Sequence, residues 1–354
     1  MNKNLEIYSK IIITGGAGFI GTNLIIKLLK ETSLVIYNID KLGYASDHFA
    51  IDYFLKNSEI DFKQRYKLIK CNLSDKDEIF KIVQNIKPDL VMHLAAESHV
   101  DKSIDFPQEF LDSNIYGTFN LLNACLNLYS NFDEIRKKRF RFLHISTDEV
   151  FGTLSNKGSF TEESRYDPRS PYSATKAASD HLVKTWFHTY GLPILISNCG
   201  NNYGPWQFPE KLIPTIIYSA FFKRKIPIYG NGLNIRDWIY VEDHINALLE
   251  ILLKGKIGES YCVGSSQEFT NIEIANFICD YLDKIKPIDF SYSELITFVE
   301  DRPGHDKRYS INPQKISKDL GWRPIYSFNH ALESTVDWYL SNIYWCENLL
   351  KKHK

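Results

Sequence analysis

The chain lacks the features that direct a protein into a membrane or onto nucleic acid. No apolar run reaches the ~20 residues that a membrane-spanning helix needs. Met1 to Glu6 contain no apolar signal core, so we expect a cytoplasmic protein. The 42 basic and 43 acidic residues almost cancel, which leaves a net charge of -1. Nothing therefore favours long-range attraction to nucleic acid or to an anionic membrane, although a few clustered cations would suffice for a small anionic substrate.

Metal-binding and redox motifs are also missing. The chain has only six cysteines, and no two of them form a C-x-x-C pair. No His or Cys cluster has the spacing of zinc ligands, so we expect no metal. Scattered cysteines in a chain of this length are typical of buried thiols in a reducing compartment. The six positions are Cys71, Cys125, Cys199, Cys262, Cys279 and Cys346.

What the first half does contain is an alternation of short apolar runs and amphipathic stretches. This alternation predicts β-α-β units and a parallel sheet, because parallel strands need helical or long connections. The first run is followed by a predicted helix from Phe19 to Lys30. The predicted strands are Ile11 to Thr14, Leu34 to Ile39, Tyr66 to Ile69, Leu90 to Leu94, Phe140 to Ile145 and Ile194 to Asn198.

After residue 200 the pattern changes, with more Pro and aromatic residues and shorter, more scattered strands. We expect a smaller α+β lobe there. Gly258 to Val263 resembles one more strand of the main sheet, and a last helix is predicted from Asn329 to Leu350. The predicted boundaries are 1–200 for the first domain, with later segments near 231–263 returning to it, and 201–354 for the second lobe. The two lobes therefore interleave.

A glycine-rich turn follows the first strand and begins the first helix. Gly15, Gly18 and Gly21 let the backbone turn tightly and approach a pyrophosphate, to which the helix N-terminus offers free N–H groups. Asp40 ends the second strand, where a carboxylate accepts hydrogen bonds from adenosine ribose hydroxyls and repels a ribose phosphate. A glycine triad alone is compatible with a plain turn. With Asp40 it predicts a Rossmann-type, doubly wound parallel sheet that binds NAD rather than NADP.

The most distinctive catalytic candidate is a Tyr-x-x-x-Lys pair. Tyr172 and Lys176 begin a predicted helix, in which residues four apart share a face. An ammonium beside a phenol favours the phenolate, so we expect Lys176 to lower the pKa of Tyr172 and make it a base. Two further pairs have this spacing but begin in predicted strands, where we interpret the Tyr as strand packing. They are Tyr37 with Lys41 and Tyr66 with Lys70.

Two adjacent acids follow the fifth predicted strand. Asp148 and Glu149 stand after Thr147, on the edge where open α/β sheets bind their ligands. A generic Asp-Glu pair is compatible with a solvated turn or a helix cap. In a closed site two adjacent carboxyl groups do not both ionise easily, so one can act as an acid and the other as a base.

With these motifs the chain resembles the extended short-chain dehydrogenase/reductase superfamily and, within it, the family of dTDP-glucose 4,6-dehydratases. The resemblance spans nearly the whole chain. It is carried by TGGAGFIGTN from Thr14, HLAAESHVDKSI from His93, ISTDEVFG from Ile145, SPYSATKAASDHLV from Ser170, NCGNNYGPWQFPEKLIP from Asn198, PIYGNGLNIRDWIYVEDH from Pro227 and DRPGHDKRYSIN from Asp301.

The resemblance implies a role for each catalytic candidate. Thr147 and Tyr172 would hydrogen-bond the carbon-4 hydroxyl, with Tyr172 as the base. Lys176 would bind the nicotinamide ribose, Asp148 would protonate the leaving carbon-6 hydroxyl, and Glu149 would take the carbon-5 proton. This chemistry is consistent, because oxidation of carbon 4 makes the carbon-5 hydrogen acidic and a hydroxide leaving group needs a proton donor.

The resemblance also implies two sets of binding residues and a homodimer. Arginines among them suit a diphosphate, because guanidinium binds phosphate in a bidentate manner. The NAD set is Gly15, Gly18, Phe19, Ile20, Gly21, Asp40, Lys41, Asn72, Leu73, Leu94, Ala95, Ala96, Ser113, Tyr172, Lys176 and Asn202. The nucleotide-sugar set is Ser98, Thr147, Asn201, Lys211, Leu212, Pro227, Ile228, Tyr229, Arg236, Asn271, Asp301, Arg302 and His305.

The implied homodimer would form through helices spanning 115–129 and 172–190. Both stretches carry more apolar residues than one core face requires, which is compatible with an interface. The residues on which this expectation rests are Leu121, Leu122, Leu126, Leu182, Val183 and Trp186.

Three residues depart from the family pattern. Asn72 replaces an Asp that faces adenine, although its amide oxygen can still accept that hydrogen bond. Gly43 replaces a Thr, and Phe151 replaces a Tyr.

Two other functions stay open. One rival is another nucleotide-sugar enzyme, such as a UDP-glucose 4,6-dehydratase, a 4-epimerase or a decarboxylase. The other is an NAD-binding regulatory or scaffold protein of the same fold, since fold alone does not establish activity.

Overall fold

A computed structural model describes residues 5–352 of the chain. Seven of its strands form one parallel sheet in the order β10-β6-β5-β4-β1-β2-β3. The strands are β1 Lys10–Thr14, β2 Val35–Asp40, β3 Tyr66–Lys70, β4 Leu90–His93, β5 Arg141–Thr147, β6 Ile194–Cys199, β7 Asn201–Tyr203, β8 Ile226–Tyr229, β9 Ile235–Tyr240, β10 Ser260–Val263, β11 Glu268–Thr270 and β12 Ile296–Val299.

Helices connect these strands, and a π-helical turn spans Leu111–Tyr116. The helices are α1 Phe19–Glu31, α2 Phe49–Asn57, α3 Lys76–Ile86, α4 Val100–Asp105, α5 Pro107–Phe110, α6 Gly117–Ser130, α7 Glu134–Arg139, α8 Pro171–Tyr190, α9 Leu212–Phe221, α10 Val241–Lys254, α11 Asn271–Ile285, α12 Gln314–Leu320, α13 Phe328–Ser341 and α14 Ile343–Lys352.

The main sheet is buried on both faces, which explains why its strands are apolar throughout. In β1, Ile11 and Ile13 pack into a core with α1 and α10 on one face. Ile12 points to the other face and packs into a core with α3, α6 and α8. All three isoleucines are fully buried. This alternation produces the three-layer arrangement that the sequence predicts, with helices on both faces of a parallel sheet.

The second half builds a smaller lobe beside the carboxyl edge of this sheet. A three-stranded sheet has the order β11-β9-β7, and β8 pairs with β12 in parallel. Within the segment 231–263, β9 belongs to the three-stranded sheet, whereas α10 and β10 belong to the main domain. The predicted strand at Gly258 to Val263 is confirmed as β10, paired with β6.

Predicted and observed ends differ by one or two residues at several elements, and two differences change the interpretation of the fold. The fifth strand does not end at Ile145 but continues to Thr147, where it still pairs with β6, so it carries the polar residues to the sheet edge. The last helix from Asn329 to Leu350 is two helices, α13 and α14, divided at Asn342. Neither Gly nor Pro marks this break, and the Asn342 side chain caps α13 by donating to the Trp338 carbonyl at 2.8 Å.

Within residues 5–352 the structure contains no helix that is both long and apolar enough to cross a membrane. The same part of the chain contains no group of three or more His, Cys, Asp or Glu side chains arranged to hold a metal ion.

Candidate active site

A cleft of about 320 Å³ opens at the carboxyl edge of the main sheet. Ligands of open α/β sheets bind at this edge, because the loops that follow parallel strands converge there. Every residue of the expected NAD set lines the cleft, together with the five catalytic candidates. From the expected nucleotide-sugar set the lining contains Ser98, Thr147, Asn201 and Lys211.

The glycine turn forms one wall of the cleft and fits a pyrophosphate. Gly15 has a φ of +70°, and a Cβ on it would lie 2.6 Å from the backbone of Ala95. A Cβ on Gly21 would lie 2.4 Å from the Gly15 carbonyl oxygen, so side chains at both positions would displace backbone. Gly18 caps α1 without any side-chain hydrogen bond. The first N–H groups of α1 therefore remain available to an anion.

Asp40 is fixed at the end of β2 by neighbouring groups. Its Oδ2 accepts the Ala17 N–H at 3.0 Å. Its Oδ1 accepts the Leu42 N–H at 2.8 Å and the Ser46 hydroxyl at 3.0 Å. A carboxylate offers about four acceptor positions, so one remains for a ribose hydroxyl. The carboxylate is held in place before any ligand arrives, and this position fits a dinucleotide with a free 2′-hydroxyl.

Replacing Asp40 with Ala is expected to weaken NAD binding about ten- to a hundredfold and to relax the preference over NADP. Hydrogen bonds to charged groups contribute about 1.5–3 kcal/mol, and the loss of the carboxylate also removes its repulsion of a ribose phosphate. Titration calorimetry with both dinucleotides measures the effect. Ser46→Ala is the matched control, because it removes one bond to Asp40 and leaves the charge. Equal affinity of the unmodified protein for both dinucleotides contradicts the assignment.

Several cleft residues were not predicted from the sequence. Glu97 forms an ion pair with Lys41 at 2.5 Å across the rim. Tyr44 and Phe208 face each other with ring centroids 5.0 Å apart. Glu97 lies in the segment HLAAESHVDKSI, a few residues after β4. Its position beyond the end of a parallel strand is the signal that could have identified it as a cleft residue. Nothing in the sequence relates Tyr44 to Phe208, because only the folded chain brings them together.

The acid pair stands where β5 ends. Thr147 caps a short 3₁₀ helix, Asp148–Phe151, by accepting the Glu149 N–H at 3.2 Å. This turn directs Asp148 inward, where it is 1% exposed, and leaves Glu149 partly exposed to the cleft. The Asp148 Oδ1 accepts the Thr147 hydroxyl at 3.3 Å, whereas Oδ2 has no hydrogen-bond partner among the described residues. Such an unpaired buried oxygen calls for an explanation, and a catalytic role is one that fits its place beside the cleft.

The two acids have different electrostatic surroundings. Burial raises the pKa of Asp148 well above its usual range, and the neighbouring Glu149 raises it further. Burial also raises the pKa of Glu149, but Arg302, Arg236 and Lys211 oppose this rise. Asp148 therefore favours its protonated form, whereas the neighbouring cations stabilise the ionised form of Glu149. This separation is what an acid and a base at one site require.

Tyr172 and Lys176 are positioned by the start of α8. Ser170 caps this helix in a reciprocal capping box with Ser173, so the Tyr and the Lys lie one turn apart facing the cleft. Lys176 Nζ donates to the Ile145 carbonyl at 2.8 Å. Burial lowers the pKa of Lys176 to about 8.

The expectation that Lys176 lowers the pKa of Tyr172 is wrong for this structure. Burial raises the pKa of Tyr172 well above its usual value, and the charge of Glu149 adds to the rise. A hydrogen bond with Thr147 opposes it without compensating for it. Removal of the phenol from water outweighs one neighbouring ammonium, whose strongest contact is with the backbone. In this state Tyr172 is a neutral phenol, and it can act as a base only after it has lost its own proton.

The other expected nucleotide-sugar residues lie in the smaller lobe, outside the lining of this cleft. Pro227 and Tyr229 expose their side chains on β8, whereas Ile228 is fully buried and offers a ligand only its backbone. Leu212 begins α9 and packs against the core of the lobe. Asn271, which begins α11, is 9% exposed.

Cations of the smaller lobe stand beside the acid pair. Arg236 is 4% exposed, lies over the Tyr309 ring with its guanidinium carbon 4.3 Å from the centroid, and acts electrostatically on Asp148 and Glu149. Arg302 contacts Asp101 at 3.4 Å, linking the lobe to α4. With Lys211 they form a positive rim that suits a diphosphate.

The loop after β12 is arranged around two acids. His305 Nδ1 lies 2.6 Å from an oxygen of Asp301, which is exposed. The Tyr229 hydroxyl donates to the Asp101 carboxylate at 3.3 Å. Asp101 thus contacts both Tyr229 and Arg302, a connection that only the folded chain creates.

The comparisons with known proteins agree with this geometry. Residues 12–335 match the family described as GDP-mannose 4,6 dehydratase. The dTDP-glucose 4,6-dehydratase of Salmonella typhimurium is 48% identical over 349 residues, covering 96% of this chain and 95% of its own. The crystal structure of a dTDP-glucose 4,6-dehydratase from Streptomyces venezuelae, with NAD bound, is 35% identical with a TM-score of 0.86, covering 96% of this chain and 99% of its own.

A UDP-glucose 4-epimerase from Thermotoga maritima shares the fold, at 23% identity and a TM-score of 0.80, covering 94% of this chain and 99% of its own. The fold alone thus does not separate a dehydratase from an epimerase, whereas the far higher identity to the dehydratases over nearly the whole length does. The chain belongs to the dTDP-glucose 4,6-dehydratase family.

Proposed function

We propose that the chain converts dTDP-glucose to dTDP-4-keto-6-deoxyglucose and water, by NAD-mediated internal hydride transfer from carbon 4 to carbon 6. The observation that carries this proposal is the acid pair Asp148 and Glu149 beside Tyr172 and Lys176 in one cleft. A 4-epimerase needs the Tyr but has no use for an acid and a base at carbons 6 and 5. A non-catalytic binding protein has no use for either pair.

In the first step carbon 4 is oxidised. Tyr172, as the phenolate, accepts the proton of the carbon-4 hydroxyl while Thr147 hydrogen-bonds the same oxygen. NAD, when bound, supplies the acceptor for the carbon-4 hydride and returns that hydride at the end. The raised pKa of Tyr172 leaves little phenolate at neutral pH but makes that phenolate a strong base, and loss of hydride makes the carbon-4 hydroxyl acidic.

Elimination follows, and here the difference between the two acids matters. Glu149 takes the carbon-5 proton, which the new ketone makes acidic. Asp148 protonates the carbon-6 hydroxyl, which leaves as water. Hydride then returns to carbon 6 and a proton to carbon 5. No net oxidation results, and water is the only group lost.

The dinucleotide would lie on the glycine turn, with its ribose at Asp40 and its nicotinamide end beside Lys176 and Asn202. Asn72 would face adenine. Its Oδ1 already accepts the Ser74 N–H at 3.1 Å, so one of its two lone pairs is in use and the other would serve adenine. Gly43 lines the cleft without a hydroxyl to offer.

A turnover assay tests the proposal. The purified protein is supplied with dTDP-glucose or UDP-glucose, and product is followed by formation of the 4-keto group and by mass loss of one water. We expect conversion of dTDP-glucose in preference to UDP-glucose. Formation of a carbon-4 epimer without loss of water would identify an epimerase instead, and absence of any product would favour a binding protein.

Three further proposals concern the whole chain. The residue ranges 1–200, with later segments near 231–263, and 201–354 would form a dinucleotide domain and a nucleotide-sugar lobe. The cytoplasm would be its location, which is supported by six unpaired, buried cysteines among the described residues. The assembly would be a homodimer.

The six apolar residues on which the dimer expectation rests differ in burial, and Leu126 and Leu182 are half-buried. Leu121, Leu122 and Val183 are fully buried, because α6 packs between α3 and α8 and needs apolar residues on both sides. Exposed apolar residues also lie on or beside these helices, and together we call them the patch. Phe119 stacks edge-on against Trp186, which in turn contacts Tyr190. The patch comprises Phe106, Leu111, Tyr116, Phe119 and Tyr190, with 38–59% of each residue exposed.

Placing charge in this patch is expected to convert the dimer to a monomer. The double variant Tyr116→Glu with Phe119→Glu puts two carboxylates where a partner's apolar surface would cover them, and burying unpaired charge costs several kcal/mol. Light scattering coupled to gel filtration measures the mass. Tyr53→Glu is the matched control, because Tyr53 is 54% exposed on α2, away from the patch. An unmodified chain that is monomeric at micromolar concentration contradicts the proposal.

A further inference from the structure

A buried group of titratable side chains lies behind Lys176, outside the residues assigned to the reaction. His144 Nε2 stands 3.4 Å from Lys176 Nζ and 3.2 Å from Asp180 Oδ1. His144 and Asp180 are fully buried, and Lys176 is 3% exposed. Asp180 follows Lys176 by one turn of α8, as Lys176 follows Tyr172, so all three lie along one face of the helix.

The second oxygen of Asp180 is held by three donors. Its Oδ2 accepts the Ser146 hydroxyl at 2.9 Å, the Tyr166 hydroxyl at 2.8 Å and the Asn198 amide at 3.1 Å. Burial alone would raise the pKa of Asp180, but the His144 interaction, the charge of Lys176 and the Ser146 hydrogen bond outweigh burial and lower it. The structure therefore maintains a carboxylate in a place from which water is excluded.

This carboxylate is the counter-charge of Lys176 within the cluster. Burial lowers the pKa of His144 to about 4 and that of His93 well below its usual value, so both imidazoles are neutral at pH 7. Burial raises the pKa of Cys199 to about 12, so its thiol is neutral as well. The titratable groups that act on Lys176 are Asp180 on α8, His93 on β4, His144 on β5 and Cys199 on β6.

We propose that Asp180, packed beside His144 behind Lys176, is a positioning residue that keeps Lys176 protonated and oriented toward the dinucleotide cleft. One Lys176 N–H is committed to the Ile145 carbonyl, which leaves the other donors for the cleft. Neither Asp180 nor His144 lines the cleft, so they act on the reaction only through Lys176. The role in turnover rests on the proposed function, whereas the effect on the protonation of Lys176 does not.

Asp180→Asn removes the charge and nearly preserves the shape, since an amide oxygen still accepts from Ser146 and Tyr166. Loss of an opposite charge lowers the pKa of a neighbouring ammonium by about 1–3 units. The protonated lysine is lost as pH rises through its pKa, which is about 8 in the unmodified protein. The alkaline limb of kcat/KM is therefore expected to move to lower pH by about one unit or more. Activity relative to the unmodified protein should recover as pH is lowered.

Tyr166→Phe is the matched control, because it removes one hydrogen bond to the same oxygen and leaves the carboxylate. Its alkaline limb should not move, even where stability falls. An Asp180→Asn profile with an unmoved alkaline limb would overturn the proposal. A merely structural role for Asp180 would lower activity equally at every pH.

A second measurement needs neither turnover nor cofactor. NMR titration of the protein labelled with ¹³C at lysine Cε follows the Lys176 resonance, assigned by its absence in Lys176→Met. The proposal requires Lys176 to be protonated at neutral pH in the unmodified protein and to titrate lower in Asp180→Asn. A resonance that titrates below pH ~7 in the unmodified protein overturns it, even where the variant does not fold. A chain without dehydratase activity would refute the proposed function and leave this measurement valid.

Discussion

Tyr172→Phe is expected to lower turnover of dTDP-glucose by about 10²–10⁴-fold while the substrate still binds. The substitution removes the phenolic oxygen and almost no volume, so the packing of the 9% exposed ring is kept. Without the base, carbon 4 cannot lose hydride, because the proton of its hydroxyl has no acceptor at the required position. Every later step depends on that oxidation.

Single-turnover kinetics separates this effect from binding. The absorbance of reduced nicotinamide should fail to appear in Tyr172→Phe, whereas substrate affinity from titration calorimetry should stay within a few-fold of the unmodified protein. Tyr37→Phe is the matched control, since Tyr37 begins another Tyr-x-x-x-Lys pair but lies in β2 and does not line the cleft. Near-normal turnover of Tyr172→Phe would show that another group is the base.

Features that depend on neighbouring residues in the sequence could be predicted. The glycine turn, Asp40 at the end of β2 and the Tyr-x-x-x-Lys pair on α8 each combine a motif with one local element, and local geometry follows from such combinations. The acid pair was placed correctly at the carboxyl edge even though β5 was predicted too short. The edge to which a strand leads does not depend on its last two residues.

Features that depend on tertiary packing could not be predicted. Asp101 meets Arg302, and Tyr44 meets Phe208, only because the smaller lobe closes beside the main sheet. The pKa of Tyr172 was predicted in the wrong direction, since a sequence shows an adjacent Lys but not how completely the site excludes water. The sequence also does not show that Leu121 is buried in the core whereas Tyr116, in a neighbouring turn, is exposed. Which of two such residues is buried depends on the elements that pack against each side of the helix.

Glu149→Gln is expected to stop the reaction after its first step. The amide cannot accept the carbon-5 proton, whereas Thr147, Tyr172 and Lys176 are unchanged, so oxidation at carbon 4 remains possible. Loss of a general base typically costs about 10²–10⁴-fold in the step that it serves. The variant should therefore accumulate reduced nicotinamide, release little 4-keto-6-deoxy product, and exchange the carbon-5 hydrogen with deuterated water far more slowly than the unmodified protein.

Asp148→Asn should also oxidise carbon 4 but lose water slowly, for a different reason. Burial and the charge of Glu149 raise the pKa of Asp148, so the acid holds a proton that an amide cannot supply to the leaving hydroxyl. In this variant Glu149 is intact, so carbon-5 exchange should persist while dehydration is slowed. That contrast distinguishes the acid from the base.

Glu163→Gln is the control for both variants, because Glu163 is an exposed acid in the chain segment between the acid pair and α8. It should leave oxidation, exchange and product release unchanged. If Glu149→Gln and Asp148→Asn released product at the rate of this control, the acid pair would be a solvated turn. The cleft would then contain only an oxidation site built from Thr147, Tyr172 and Lys176. Such a site supports an epimerase or a simple oxidoreductase but supplies no acid for loss of water from carbon 6.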